Sequence, residues 1–260
     1  MSFETILVEF CEGVTTVTLN RPDRMNSFNR TMTQDFRRLW LSLREDDAVR
    51  AVILRACPGR AFCTGVDVKE GWRATDEGQM PFDMDDPGEW LGPKSNKVWK
   101  PIIVAVSGMA AGGAFYFLNE ADIIICSEDA TFFDPHVTFG MVAAVEPIGA
   151  MARMPLSQIQ RMVLLGNDER IGAETALKIN LVTEITSIEA LWSRAAELAA
   201  LIAQKHPVAI QGTVRAIWEA QGLPRSIAVA NALKYTQIGN PIGTRDVDRS
   251  KMKTPSWRLR

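Results

Sequence analysis

The sequence predicts an α/β fold made of β-β-α units, followed by a helical C-terminal region. Three observations predict it. An alternating hairpin pattern runs into an amphipathic helix near the N-terminus, two buried strands each lead into a glycine turn, and from Ile188 onward the apolar pattern is helical with no strand between. The expected organisation is a core over residues 1–187 and a helical region with a basic tail over 188–260.

In chain order, Phe3 to Phe10 and Val14 to Leu19 alternate as two strands, with Glu12-Gly13 as their turn and Asn20-Arg-Pro22 ending the second. Asn29 is the predicted N-cap of a helix to Arg44, whose apolar stripe is Met32, Phe36, Leu39, Trp40 and Leu43. A buried strand follows over Arg50 to Arg55. Residues 70–100 are rich in Gly, Pro, Asp and Trp, and read either as a solvated insertion or as a lid lined by Trp72, Met80, Phe82 and Trp90. Ile102 to Val106, short and β-branched, reads as a strand covered on both faces. Gly108, Gly112 and Gly113 then give a tight turn into a helix, with bare backbone N–H groups at its start.

After that come a strand over Ala121 to Cys126, a short strand over Ala130 to His136 ending in a polar turn, and two helices, Val145 to Met154 and Leu156 to Leu165. A helix over Gly172 to Ile179 precedes the C-terminal three: Ile188 to Gln204, Pro207 to Gln221 and Pro224 to Ile238. Gly239-Asn-Pro-Ile-Gly243 is expected to end that region.

The glycine turn at Gly112-Gly113 has an upstream counterpart in Arg60-Ala-Phe-Cys-Thr-Gly-Val-Asp-Val-Lys-Glu70, read as a glycine between a strand and a polar helical start. Two such turns can each give one backbone donor to a shared anion site. With Leu19-Asn-Arg-Pro22, Met25-Asn-Ser27, Ala121-Asp-Ile-Ile-Ile125, Ser127-Glu-Asp-Ala-Thr-Phe132, Leu164-Leu-Gly166 and Lys253-Thr-Pro-Ser-Trp257, the chain resembles the crotonase family, the enoyl-CoA hydratase/isomerase superfamily. The resemblance implies a crotonase-type spiral of β-β-α units and a C-terminal region that builds a homotrimer or a dimer of trimers. It also implies an oxyanion hole from the N–H groups of Val66 and Gly113, and a coenzyme A thioester that enters as substrate, with no resident cofactor. By the same resemblance Val66, Asp67, Val68 and Lys69 flank the coenzyme, and Arg24 meets a phosphate or is plain surface charge.

The composition fits that expectation. In 260 residues, 47% are hydrophobic and 23% charged, which is an ordinary globular balance, and the net charge of -2 argues against nucleic acid as a main partner. Four cysteines without paired spacing and two histidines make a metal site a poor reading, and favour free thiols in a reducing cytoplasm. The N-terminus lacks the pattern of a signal peptide, and Pro101 to Leu118 reads as a buried βα unit, not a membrane span.

Hydration of an enoyl thioester needs a base for water at the β-carbon and an acid for the α-carbon. The family's hydratases use two glutamates, and by motif position these fall on Tyr116 and His136, neither a carboxylate. Tyr116, with an ordinary pKa of about 10, is a donor or a core residue; His136, near 6.5, is a base or a structural hydrogen-bonder. Asp134 reads as a turn residue. Glu146, before Pro147 at a helix start, is either the missing acid or a partner of the helix dipole. The catalytic expectation is therefore His136 with Glu146, with Tyr116 orienting substrate or water. The alternatives are a family hydrolase or isomerase, or an acyl-CoA-binding oligomer that has lost the chemistry.

Overall fold

The computed structural model describes residues 2–72, 85–251, 257 and 259. The positions of Met80 and Phe82, and nearly all of the Lys253 to Trp257 motif, lie outside them. The described residues fall into two compact units, 1–203 and 204–260.

The first unit holds two sheets. The larger has the order β1 (Ile6–Cys11), β2 (Val14–Leu19), β3 (Ala51–Ala56), β5 (Ile102–Val106), β7 (Ile123–Ser127) and β10 (Glu184–Thr186), antiparallel at β1/β2 and parallel elsewhere. The β1/β2 hairpin closes as predicted, Cys11 opposite Val14, through Glu12 and Gly13 at φ of 47° and 83°. The smaller sheet runs β4 (Ala61–Cys63), β6 (Met109–Ala111), β8 (Thr131–Phe133) and β9 (Ile171–Gly172).

Helix α1 (Arg30–Glu45) starts on the Asn29 cap, whose side chain accepts the N–H of Met32, and buries the predicted stripe. Between the first and central motifs lies the short α2 (Gly88–Leu91). The remaining helices of this unit are α3 (Phe115–Asn119), α4 (Val145–Ala150), α5 (Leu156–Leu165), α6 (Ala173–Lys178) and α7 (Ile188–Ala203). The central strands alternate strictly between two cores. Val52, Leu54, Ile102, Val104, Val106 and Ile124 enter the main core with α1, whereas Ala51, Ile53, Ile103, Ala105 and Ile125 meet Leu191, Ala195 and Ala199 of α7.

That second core moves the division expected at 187/188. Helix α7 covers the far face of the larger sheet, so its apolar stripe is used within its own chain and the boundary falls between Ala203 and Gln204. Three other expectations change. The stretch from Gly108 to Gly113 holds a three-residue strand, β6, pinned by Gly108, where a Cβ would sit 2.4 Å from the Arg60 carbonyl oxygen. The residues after Gly65 form a turn instead of a helical start, because Asp67 Oδ1 takes the N–H groups of Lys69 and Glu70. Helix α4 stops at Ala150, short of Met154.

The second unit is a helical hairpin of α8 (Pro207–Glu219) and α9 (Arg225–Asp246). Helix α9 does not end at Gly239 but continues through Pro241. Gly239 and Gly243 are buried against Val208 and His206, where added Cβ atoms would lie 3.5 Å from each side chain, so close packing on α8 holds the helix where local propensity would break it.

Candidate functional site

The site grows from the meeting of the two glycine turns. Gly65, at a φ of 81°, packs on Gly113 so tightly that a Cβ on Gly65 would lie 2.9 Å from the Gly113 nitrogen. Phe28 straddles the first turn, its N–H donating to the Gly65 carbonyl and its carbonyl accepting the Asp67 N–H. Val66 therefore stands between two bonds of which it is not part. No hydrogen bond among the described residues uses the Val66 N–H. Gly113 is the second residue of the 3₁₀ turn Gly112–Ala114 that leads into α3, where first-turn N–H groups lack intrahelical acceptors. The two turns that carry the expected donors thus meet at Gly65 and Gly113.

His136 follows β8 in the 3₁₀ turn His136–Phe139, beside Gly112; a Cβ on Gly112 would be 3.5 Å from His136 Cε1. Its Nδ1 lies 2.5 Å from Asp134 Oδ1, and the same carboxylate oxygen accepts the His136 backbone N–H at 3.0 Å. Asp134 is fully buried. Its local sequence predicts only a turn, and the turn proves to be the means by which a buried carboxylate grips the imidazole ring. The Asp-Pro-His spacing, with a carboxylate two residues before the N–H it accepts, was the signal. The hydrogen bond to Asp134 raises the His136 pKa above its ordinary value; burial opposes the shift, and the charges of Asp134 and Glu146 support it.

With Nδ1 committed to Asp134, Nε2 faces Glu146, 3.8 Å from its Oε1. Glu146 is 6% exposed at the start of α4, which Asn119 of α3 fastens by donating to the Glu146 carbonyl at 2.8 Å. Burial pushes its carboxyl pKa up, and the negative charges of Asp134 and Asp86 add to this against the pull of His136. The pair singled out in the sequence is therefore brought together, separated by more than a direct hydrogen bond and less than two water diameters.

Tyr116 is half-buried on α3 and packs its ring edge-on to Phe28, with centroids 6.2 Å apart. Its hydroxyl donates to Asp86 Oδ2 at 2.9 Å. Burial first, then the charges of Glu146 and Asp86 and the hydrogen bond to Asp86, drive its pKa far up, so it stays a phenol. Trp72 and Trp90 meet edge to face at 5.7 Å, the described part of the expected lining.

The residues expected beside the coenzyme divide. Val68 is 85% exposed and Lys69 is exposed, free to border a ligand. The Asp67 side chain is turned inward instead, holding the Lys69 and Glu70 N–H groups and lying 3.2 Å from Arg21 in an ion pair without hydrogen-bond geometry. Burial works against that charge, but those N–H groups and Arg21 prevail and lower the Asp67 pKa. Arg24 is half-exposed, 3.9 Å from Glu70.

This geometry can be set against known proteins. The family description enoyl-CoA hydratase/isomerase matches residues 9–211. The chain belongs to that family. Family members act on acyl-CoA thioesters, and the sequence is 32% identical over 220 residues to the (E)-benzylidenesuccinyl-CoA hydratase of Thauera aromatica, covering 84% of each. It is 29% identical over 225 residues to the carnitinyl-CoA dehydratase of Escherichia coli strain K12, covering 86% of this chain and 82% of that one. Among solved structures, an enoyl-CoA hydratase/isomerase from Mycobacterium paratuberculosis superposes with a TM-score of 0.80 at 33% identity, over 91% of this chain and 90% of the other. The enoyl-CoA hydratase of Mycobacterium smegmatis shares the fold at a TM-score of 0.78 and 23% identity, over 90% of each chain. The spiral architecture of an acyl-CoA enzyme family is thereby established for this member of the enoyl-CoA hydratase/isomerase family.

Proposed function

We propose that this enzyme adds water to, or in reverse removes it from, an α,β-unsaturated acyl-CoA, using a histidine and a glutamate where relatives use two glutamates. The carrying observation is the 3.8 Å gap between His136 Nε2 and Glu146 Oε1, with the imidazole fixed by Asp134. At that separation one water placed beside the pair can reach both groups. His136 takes a proton from that water as its oxygen bonds the β-carbon. The carbon–carbon π electrons move toward the thioester carbonyl, whose oxygen becomes an enolate held by the Val66 and Gly113 N–H groups. The enolate then takes a proton at the α-carbon from the Glu146 carboxylic acid. Histidinium and carboxylate remain, and a proton passed between them through the next water restores both. Atoms and charge balance without a cofactor. The two relatives named as a hydratase and a dehydratase support this reaction over isomerisation or hydrolysis.

A panel of enoyl-CoA thioesters, crotonyl-CoA included, followed by mass, tests the reading. A gain of one water on at least one member is expected. Binding of every member without a mass change would replace this reading by a silent acyl-CoA-binding protein. Calorimetry with acetoacetyl-CoA, whose enolate resembles the developing charge, should show tight binding; no heat and no competition by a second thioester would remove the oxyanion site.

We also propose a homotrimer or dimer of trimers in the cytoplasm, where unpaired thiols stay reduced. Its interface would use α8 and α9, not α7: Ile217, Ile227, Val229, Leu233 and Ile238 are each at least half exposed. Light scattering should give a mass of three or six chains, and a monomer at micromolar concentration would end that proposal.

A further inference from the structure

We propose that Asn119 is a positioning residue for the hydration step: its side-chain amide sets where Glu146 stands opposite His136. The proposal deepens the reading of Glu146 as the acid and rests on it. Helix α4, which carries Glu146, has little of its own to hold it in place. It is six residues long, no side chain caps its start, and only Glu146, Pro147 and Ala150 are buried. Val145 and Ile148 are each at least half exposed. A helix that short gains little from its own hydrogen bonds, so its rotation and height depend on what it is tied to.

The tie is at the end of α3. Asn119, the last residue of that helix, donates from Nδ2 to the Glu146 carbonyl at 2.8 Å. The bond thus holds the backbone of the very residue whose carboxyl faces the imidazole. Gly149, further along α4, makes room for it, since a Cβ there would lie 2.3 Å from Asn119 Nδ2. Past the end of α4, Arg153 reaches back and donates to the Asn119 and Ala121 carbonyls. Stability alone does not account for Asn119. Its Oδ1 is buried and has no hydrogen-bond partner among the described residues, a cost that an apolar side chain would not carry.

His136 is held from a different quarter. Besides the grip of Asp134, its turn is fastened by Thr138, whose Oγ1 accepts the Asn167 N–H at 2.9 Å beyond the end of α5. Gly166 packs so closely there that a Cβ would lie 2.2 Å from the same oxygen. The imidazole therefore hangs from Asp134 and the end of α5, and the carboxyl from the end of α3. Their 3.8 Å separation is set by two independent anchors, so loosening Asn119 moves Glu146 and leaves His136 in place. A misplacement of about 1 Å in a reacting group can cost on the order of a hundredfold in rate.

Carbon-13 NMR titration of the full-length protein without substrate, labelled at histidine Cε1, tests this; the chain has two histidines, and His136→Ala assigns the signal. The charged groups that face the ring are Asp134 and Glu146, and the Glu146 charge helps to raise its midpoint. Glu146→Gln removes that charge and marks the midpoint of a ring without its partner. Asn119→Ala should bring the His136 midpoint at least about halfway from the parent value to that mark, with His206 unmoved. Gly149→Ala, whose Cβ turns the amide aside, should do the same with Asn119 intact, and decides the question alone should Asn119→Ala fail to fold. On a thioester the enzyme turns over, both variants should lower kcat at least about tenfold with KM and acetoacetyl-CoA affinity within a few fold of the parent, a split that general loosening of the fold would not give. The proposal is overturned by a His136 midpoint at the parent value in both variants, by one that Glu146→Gln itself does not shift, or by an unchanged kcat in both where Glu146→Gln lowers it. Because the titration needs no thioester, a silent activity panel would defeat the hydration reading without touching its result.

Discussion

His136→Ala and Glu146→Gln are each expected to lower turnover at least about a hundredfold on any thioester the enzyme hydrates, the usual cost of removing one positioned acid or base. The double variant should be little worse than either single one if, as proposed, base and acid act on one water and one enolate as a unit. Acetoacetyl-CoA affinity should hold within a few fold in all three, because the proposed oxyanion donors are backbone groups. Turnover within a few fold of the parent in both single variants would assign the proton work elsewhere. The pH profile adds a sign. In the proposed mechanism the pair works with one proton between its two members, so activity falls at low pH when the pair takes a second proton and at high pH when it loses its last. Since His136 and Glu146 are both shifted upward, the alkaline limb of kcat/KM should lie above the ordinary histidine value of about 6.5. Asp134→Asn removes the first cause of the His136 shift, so the limb should move toward acid while turnover also drops.

What could be read from the chain alone was whatever short-range chemistry encodes. The β1/β2 hairpin, the Asn29 cap and the five-residue stripe of α1 are local signals, and the structure realises them. Strands β4, β6 and β9 are two or three residues long, too short for a period-two pattern, and exist because neighbouring strands offer partners. Helix α9 passes Pro241 because Gly239 and Gly243 let it pack on α8, a tertiary gain that overrides a local cost. The site divides the same way. Glycine turns and the Asp-Pro-His run are sequence-local, whereas the Tyr116 bond to Asp86 spans thirty positions and joins residues that no local pattern pairs. The face that α7 covers was misassigned for a related reason: an apolar helical stripe shows that something is buried, not what covers it.

Gly113→Ala should be the most damaging small substitution in the protein. The added Cβ would lie 2.6 Å from Phe28 Cε1 and 3.2 Å from Gly65 Cα, and neither neighbour can yield without consequence. Phe28 holds both hydrogen bonds that straddle Val66, so pushing its ring displaces the Val66 N–H along with that of Gly113. Loss of a single oxyanion donor costs on the order of 10²–10³ in turnover, and here two donors move together, so the loss should reach at least that range. Unlike the His136 and Glu146 variants, Gly113→Ala should also lose acetoacetyl-CoA binding, because its damage falls on the groups proposed to hold the enolate oxygen. Gly65→Ala should behave alike, since its Cβ would press on the Gly113 nitrogen from a backbone at a φ of 81°. Thermal unfolding of each variant separates a displaced donor from a lost fold. A folded Gly113→Ala that binds acetoacetyl-CoA as the parent does and turns over within a few fold would place the oxyanion hole away from the meeting of the two glycine turns.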